Sequence, residues 1–128
     1  MAIRIVRLGS ERLSNEGTRI GTVRRPPRGV PKTEFASGNW YDVWFPLLAP
    51  SVEVMKLGQS AVTEKDWSAF AKRYKAEMSG SEAEHSLNLL AALSRSTSFS
   101  VGCYCESESR CHRSVLRELL LARGAEVL

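Results

Sequence analysis

Apolar and polar positions divide the chain into short strand-like runs and longer helical ones. Residues 2–8, AIRIVRL, alternate Ile3 and Ile5 with arginines, which predicts a strand that Gly9 ends. Residues 10–16 are polar and predict a loop or one helical turn, and residues 19–23 predict a brief second strand. Residues 40–46, WYDVWFP, are dense in aromatic and β-branched side chains and stop at a proline, the signature of a short strand. A short helix is predicted over residues 51–57, with Ser51 as its N-cap and Gly58 as its stop.

The spacing then lengthens to three and four. In residues 63–78, TEKDWSAFAKRYKAEM, Trp67, Phe70, Ala71, Tyr74 and Met78 share one face behind a Thr63 cap. Ser81 and Glu84 match a capping box, and Leu87, Leu90 and Ala91 continue the buried face of a second long helix. Phe99, Val101, Cys103 and Cys105 alternate as in a strand covered on both sides, which turns polar at Glu106. Val115, Leu116, Leu119 and Leu120 resume helical spacing, Gly124 stands where a C-terminal cap belongs, and residues 125–128 predict a last edge strand. Helices alternating with strands imply an α/β fold, a compact three-layer Rossmann-like arrangement with a mostly parallel sheet. The expected core is Trp67, Phe70, Tyr74, Leu87, Leu90, Val101, Leu116 and Leu119.

With 128 residues and 43% hydrophobic composition, the expectation is a single domain over residues 1–128. No apolar run approaches the roughly 20 residues that span a bilayer, and arginines interrupt the apolar start. Three cysteines cannot all pair within one chain, so reduced thiols and a cytoplasmic location are expected, with no membrane partner. The net charge of +4 is unevenly placed. Arg19, Arg24, Arg25, Arg28 and Lys32 fall within residues 17–33 with no acid among them, leaving 13 basic residues against 14 acidic ones elsewhere. Within this segment residues 24–31, RRPPRGVP, cannot be regular structure, because three prolines remove donors. It is either a solvated basic loop or an arm whose Arg24, Arg25 and Arg28 close around a phosphate with little entropy left to lose.

Residues 98–117, SFSVGCYCESESRCHRSVLR, hold all three cysteines and one of the two histidines. A strand feeding a helix through a short loop aims that loop at the carboxyl edge of a sheet, where α/β proteins bind ligands. Cys103, Cys105, Cys111 and His112 could gather as four metal donors, although their spacing matches no common zinc pattern and no metal is favoured. Cys103 reads as a small buried hydrophobe. Cys105, at the strand end beside Arg110 and Arg113, reads equally as an inert thiol or as a nucleophile of lowered pKa. The run from Cys105 to Arg110 has the length of the loops that cradle a thiolate in sulfurtransferases, while Glu106 and Glu108 would oppose that role unless paired or turned outward. Asp42 is either an arginine's partner or a pocket carboxylate able to act as acid or base. His85, at the start of a helix, is set aside as a surface residue.

VGCYCESESRCHRSVLRELL, together with RRPPRGVP and YDVWFPLLAPS in the same order, resembles the bacterial and archaeal family known as domain of unknown function 488. The resemblance implies a compact three-layer α/β domain with CYC at a strand end and CHR at the following helix start, and it brings no established reaction. The leading expectation is therefore binding of an anionic small molecule, a nucleotide, or nucleic acid by Arg24, Arg25, Arg28, Arg110, His112 and Arg113. The alternatives are thiol redox or sulfur transfer at Cys105, assisted by Asp42, and a non-catalytic module holding a metal at the Cys/His cluster. The sequence points to no particular cofactor. The expected geometry places Asp42, Cys105, Arg110 and Arg113 around one concavity, with the arm along its rim.

Overall fold

The computed structural model describes residues 1–128. Four parallel strands, β1 (Ile3–Arg7), β2 (Thr18–Gly21), β3 (Val43–Trp44) and β4 (Phe99–Cys103), form one sheet in the order β1-β4-β2-β3. Val127 adds an isolated parallel bridge to Ile3 outside β1. The four α-helices are α1 (Val52–Gln59), α2 (Glu64–Met78), α3 (Ser81–Leu93) and α4 (His112–Ala122). None of them is long and apolar enough to cross a membrane.

Strand β4 is buried at all five positions because it is paired on both sides and covered on both faces. Its Phe99 and Val101, with Ile3 of β1, pack against Phe70, Tyr74 and Met78 of α2, Leu87 and Leu90 of α3, and Val115, Leu116 and Leu120 of α4. Of the eight expected core residues, six are buried, and Trp67 and Leu119 pack partly buried against the same cluster. On the opposite face of the sheet Tyr41 lies against Gly21. A buried ion pair also sits on that side: Arg19 Nε donates to Glu16 at 2.7 Å, and Ser100 of β4 donates to the same carboxylate at 2.7 Å.

Several local expectations are corrected. Helix α1 runs through Gly58 to Gln59, because Gly58 is needed for packing rather than for termination: a Cβ there would meet Phe70 Cδ1 at 2.7 Å. Helix α3 starts one residue earlier than a Ser81 cap requires, on Gly80 and without a side-chain cap. The reciprocal capping box belongs instead to α2, between Thr63 and Asp66. The aromatic run pairs only at Val43 and Trp44, since Asp42 is diverted to Arg12 and Pro46 cannot continue the ladder. Strand β4 stops at Cys103, which leaves Cys105 outside the sheet.

Gly17 turns the chain into β2 at a φ of 78°, and a Cβ there would lie 2.0 Å from the Ser98 carbonyl oxygen. Backbone cannot yield as a flexible side chain would, and the positive φ adds its own strain. Gly17→Ala is therefore expected to lower stability by about 2 kcal/mol or more. An unchanged denaturant midpoint would refute this.

Candidate functional site: a thiol cluster in a basic cleft

Because all four strands are parallel, the segments leaving β1, β2 and β4 emerge at one edge. There they line an open cleft of about 1220 Å³. Arg7, Gly9 and Ser10 come from the end of β1, residues 23–28 from the basic loop after β2, and Cys103, Tyr104, Cys105 and Arg110 from the turn after β4. The far wall is apolar, with Met55 and Gly58 of α1 and Trp67 and Phe70 of α2. Cys111 and His112, where α4 begins, complete the floor.

All three cysteines are free thiols. Cys103 and Cys111 are buried and Cys105 is exposed, with Cys103 Sγ 3.8 Å from Cys105 Sγ. Arg113 is buried beneath them: its Nε donates to Cys111 Sγ at 3.4 Å and its guanidinium donates to the Cys105 carbonyl at 2.7 Å. His112 Nε2 lies 2.8 Å from the Thr22 carbonyl and 3.3 Å from Thr22 Oγ1. A carbonyl only accepts, so Nε2 carries a proton, and Nδ1 faces Cys111 Sγ at 3.8 Å. The ring packs edge-on against Tyr74 at 5.4 Å, which fixes its plane.

The sulfurs tune one another. The hydrogen bond with Cys103 and then the neighbouring Cys111 outweigh burial at Cys105, and the Arg113 charge adds to them, bringing its pKa down to about 3. Contact with Cys105, then the neighbouring Cys111 sulfur and burial, hold the proton on Cys103, whose pKa is pushed up. Cys111 is lowered, first by the Cys103 donor, with His112 contributing. The negative charge thus rests on the sulfur that opens into the cleft.

Cys103, Cys111 and His112 are also near enough to share one metal ion, their donor atoms lying within 4.8 Å of one another. Soft sulfur and imidazole donors suit zinc or copper(I), but the Arg113 guanidinium already uses a Cys111 lone pair and places a positive charge where a cation would bind.

The expected constellation is only partly assembled. Cys105, Arg110, His112, Arg24, Arg25 and Arg28 line the cleft. Asp42 does not: it precedes β3, accepts from Arg12 at 2.8 and 3.1 Å and from the Arg19 backbone at 2.8 Å, and takes the ion-pair alternative. Burial raises its pKa, but the Arg12 and Arg19 contacts outweigh burial and leave it below the usual carboxylate range. Arg113 faces the sulfurs from below rather than the open cleft. Arg19, counted among the basic arm by sequence, is consumed by Glu16. Arg24 is half-buried and tied to the Ala49 and Pro50 carbonyls, pinning the loop to the chain before α1. Glu108 pairs with Arg117 at 2.7 Å, Glu106 is exposed, and neither lines the cleft, which removes the electrostatic objection to a thiolate at Cys105. Sequence reasoning missed Arg7, because it reads as the polar face of a strand, and Trp67, because its spacing matches a core stripe. Arg110 lies over the Trp67 ring at 5.6 Å.

A parallel α/β sheet with a cysteine–histidine–arginine cluster at its carboxyl edge is the class these features define. The chain belongs to the active DUF488-N3 subclade, whose family description matches residues 3–124. Comparison with curated proteins and with solved structures gave no match.

Proposed function

We propose that this chain binds a phosphorylated or otherwise anionic ligand, such as a nucleotide or nucleic acid, in the cleft at the carboxyl edge of its sheet. The carrying observation is the charge of the lining: five arginines, Arg7, Arg24, Arg25, Arg28 and Arg110, and no Asp or Glu, in a chain with 14 acids. Arg24 and Arg110 spend much of their hydrogen-bonding capacity on Ala49, Pro50 and Glu64. Arg25 and Arg28 are exposed at the rim and supply the free charge. Low-dielectric walls around one sign of charge concentrate anions there.

Titrating a nucleoside triphosphate and inorganic phosphate against the protein at low and at physiological salt tests this reading. Replacing Arg25 and Arg28 together with alanine is expected to weaken binding roughly tenfold at low salt and less at high salt, where screening has already reduced both charges. Saturable binding that is absent at low salt, or equal weakening at both salts, would remove it.

The thiol cluster favours a second reading, in which the Cys105 thiolate attacks an electrophilic atom of the ligand so held. Cys105 has the geometry for that: it is the exposed member of the cluster, it lines the cleft, and Cys103 Sγ lies 3.8 Å from its sulfur.

A further inference from the structure

One thiolate in a basic cleft would suffice for a single attack, yet a second sulfur stands directly behind it. Cys103 Sγ is 3.8 Å from Cys105 Sγ, and Cys103 is only 8% exposed, so no bulky reagent reaches it before Cys105 reacts. Alternation along an extended chain puts the two side chains on the same side. The ladder ends at Cys103, so the Cys105 side chain can turn toward Cys103 to close the remaining gap while Arg113 holds its carbonyl. Cys111 is placed differently, held by Arg113 Nε at 3.4 Å and by His112 Nδ1 at 3.8 Å, and both contacts keep its sulfur where it is.

We infer that Cys103 and Cys105 form a dithiol pair that reduces a small anionic disulfide bound in the cleft. The substrate class rests on the anion-binding reading above; the pair itself rests on the sulfur geometry. In the first step the Cys105 thiolate attacks one sulfur of the substrate disulfide. That S–S bond breaks, one half departs as a thiolate, and the other half remains joined to Cys105 as a mixed disulfide. Bond formation removes the negative charge and the acceptor lone pair that held the proton on Cys103. Cys103 then loses its proton to the departing thiolate or to water, and its sulfur attacks Cys105 Sγ. The second half of the substrate leaves as a thiolate that takes up a proton. The substrate has gained two electrons from the protein pair and two protons, one from Cys103 and one from solvent, and an external dithiol reductant restores the pair by the reverse exchange.

Arg113 and Cys111 serve here as positioning groups. Arg113 anchors the Cys105 carbonyl and Cys111 Sγ together, so the turn carrying Cys105 is tied to the first turn of α4. The arginines of the rim select the charge of the substrate, and the wall of Met55, Trp67 and Phe70 accommodates its carbon skeleton.

The test uses the full chain, reduced and freed of metal by a chelator, mixed with oxidised glutathione, an anionic disulfide, or with cystamine, a cationic one, then quenched in acid and weighed by mass spectrometry. With oxidised glutathione the wild type is expected to lose two hydrogens and carry no adduct, and digestion should place the new bond between Cys103 and Cys105. Cys103→Ser should accumulate the glutathione adduct on Cys105, Cys105→Ser should do neither, and Cys111→Ser should still close the pair. Cystamine should react at least about tenfold more slowly, and alanine at Arg25 and Arg28 should slow the glutathione reaction without slowing cystamine. A lasting adduct on the wild type, or a digest joining Cys111 to Cys105, would overturn the pair, and the digest needs no variant to fold. An internal disulfide formed equally fast from both reagents would overturn the anionic-substrate assignment while leaving the pair standing.

Discussion

Arg19→Ala is expected to destabilise the protein by roughly 3 to 5 kcal/mol, a large part of the margin of a small domain. Arg19 is 0% exposed, and its guanidinium donates to both Glu16 oxygens, at 2.7 and 2.9 Å, and to the carbonyls of Ser10 and Asn39. Truncating it leaves a buried carboxylate facing Ser100 with no counter-charge, together with two carbonyls stripped of their donor. Urea unfolding checks this, and an unmoved midpoint would contradict it. Arg19→Met with Glu16→Leu should recover part of the loss, because the charge penalty disappears while the two carbonyls stay unpaired. Burial raises the Glu16 pKa, but the hydrogen bonds from Arg19 and Ser100 and the Arg19 charge lower it further, so its folded value lies below its unfolded one. Its contribution is therefore complete above the ordinary carboxylate range and is lost as pH falls through the folded value. Acid should act more gently on the apolar double variant.

Alkylation of Cys105 is expected to be nearly independent of pH from about pH 5 to about pH 8, over which an ordinary thiol with pKa near 8.5 gains several hundredfold in rate. With its pKa brought down to about 3, Cys105 is already ionised across that range. The shape of the profile is the readout rather than the absolute rate, since a thiolate of low pKa is also an intrinsically weaker nucleophile. Mass mapping of the alkylated residue at each pH makes the measurement. A rate that climbs tenfold per pH unit at Cys105 would show an unperturbed thiol and sink both the nucleophile and the dithiol pair. Arg113→Met should restore part of the climb, because it removes the guanidinium charge and the anchor on the Cys105 carbonyl.

Much of the fold could be read from periodicity. The stripe from Trp67 to Met78, the alternation from Phe99 to Cys103 and the spacing from Val115 to Leu120 each became the expected element, because their burial against one core is what wrote the pattern. Boundaries were less legible. Gly58 reads as a helix stop, yet the helix passes through it and the Phe70 ring packs where its side chain would stand.

The site was legible as a place but not as a constellation. A parallel strand followed by a polar turn and a helix already locates the cysteine turn at a carboxyl edge, since strand direction and chain order alone decide it. Which charges meet there depends on contacts between residues far apart in sequence. Asp42 and Arg12 are 30 residues apart and pair beside the start of β3, and Tyr104 reaches across 79 residues to the Arg25 carbonyl. Glu108 is neutralised by Arg117, the pairing that the sequence left open, and Arg19 is neutralised by Glu16, which a count of charges along the chain misassigned. Cysteine identity and spacing determined that sulfur gathers at this turn. Only the tertiary structure decided that Cys105 carries the charge, because that depends on two thiols and a buried arginine brought against it by β4 and α4, and hydrogen bonding and burial act through space.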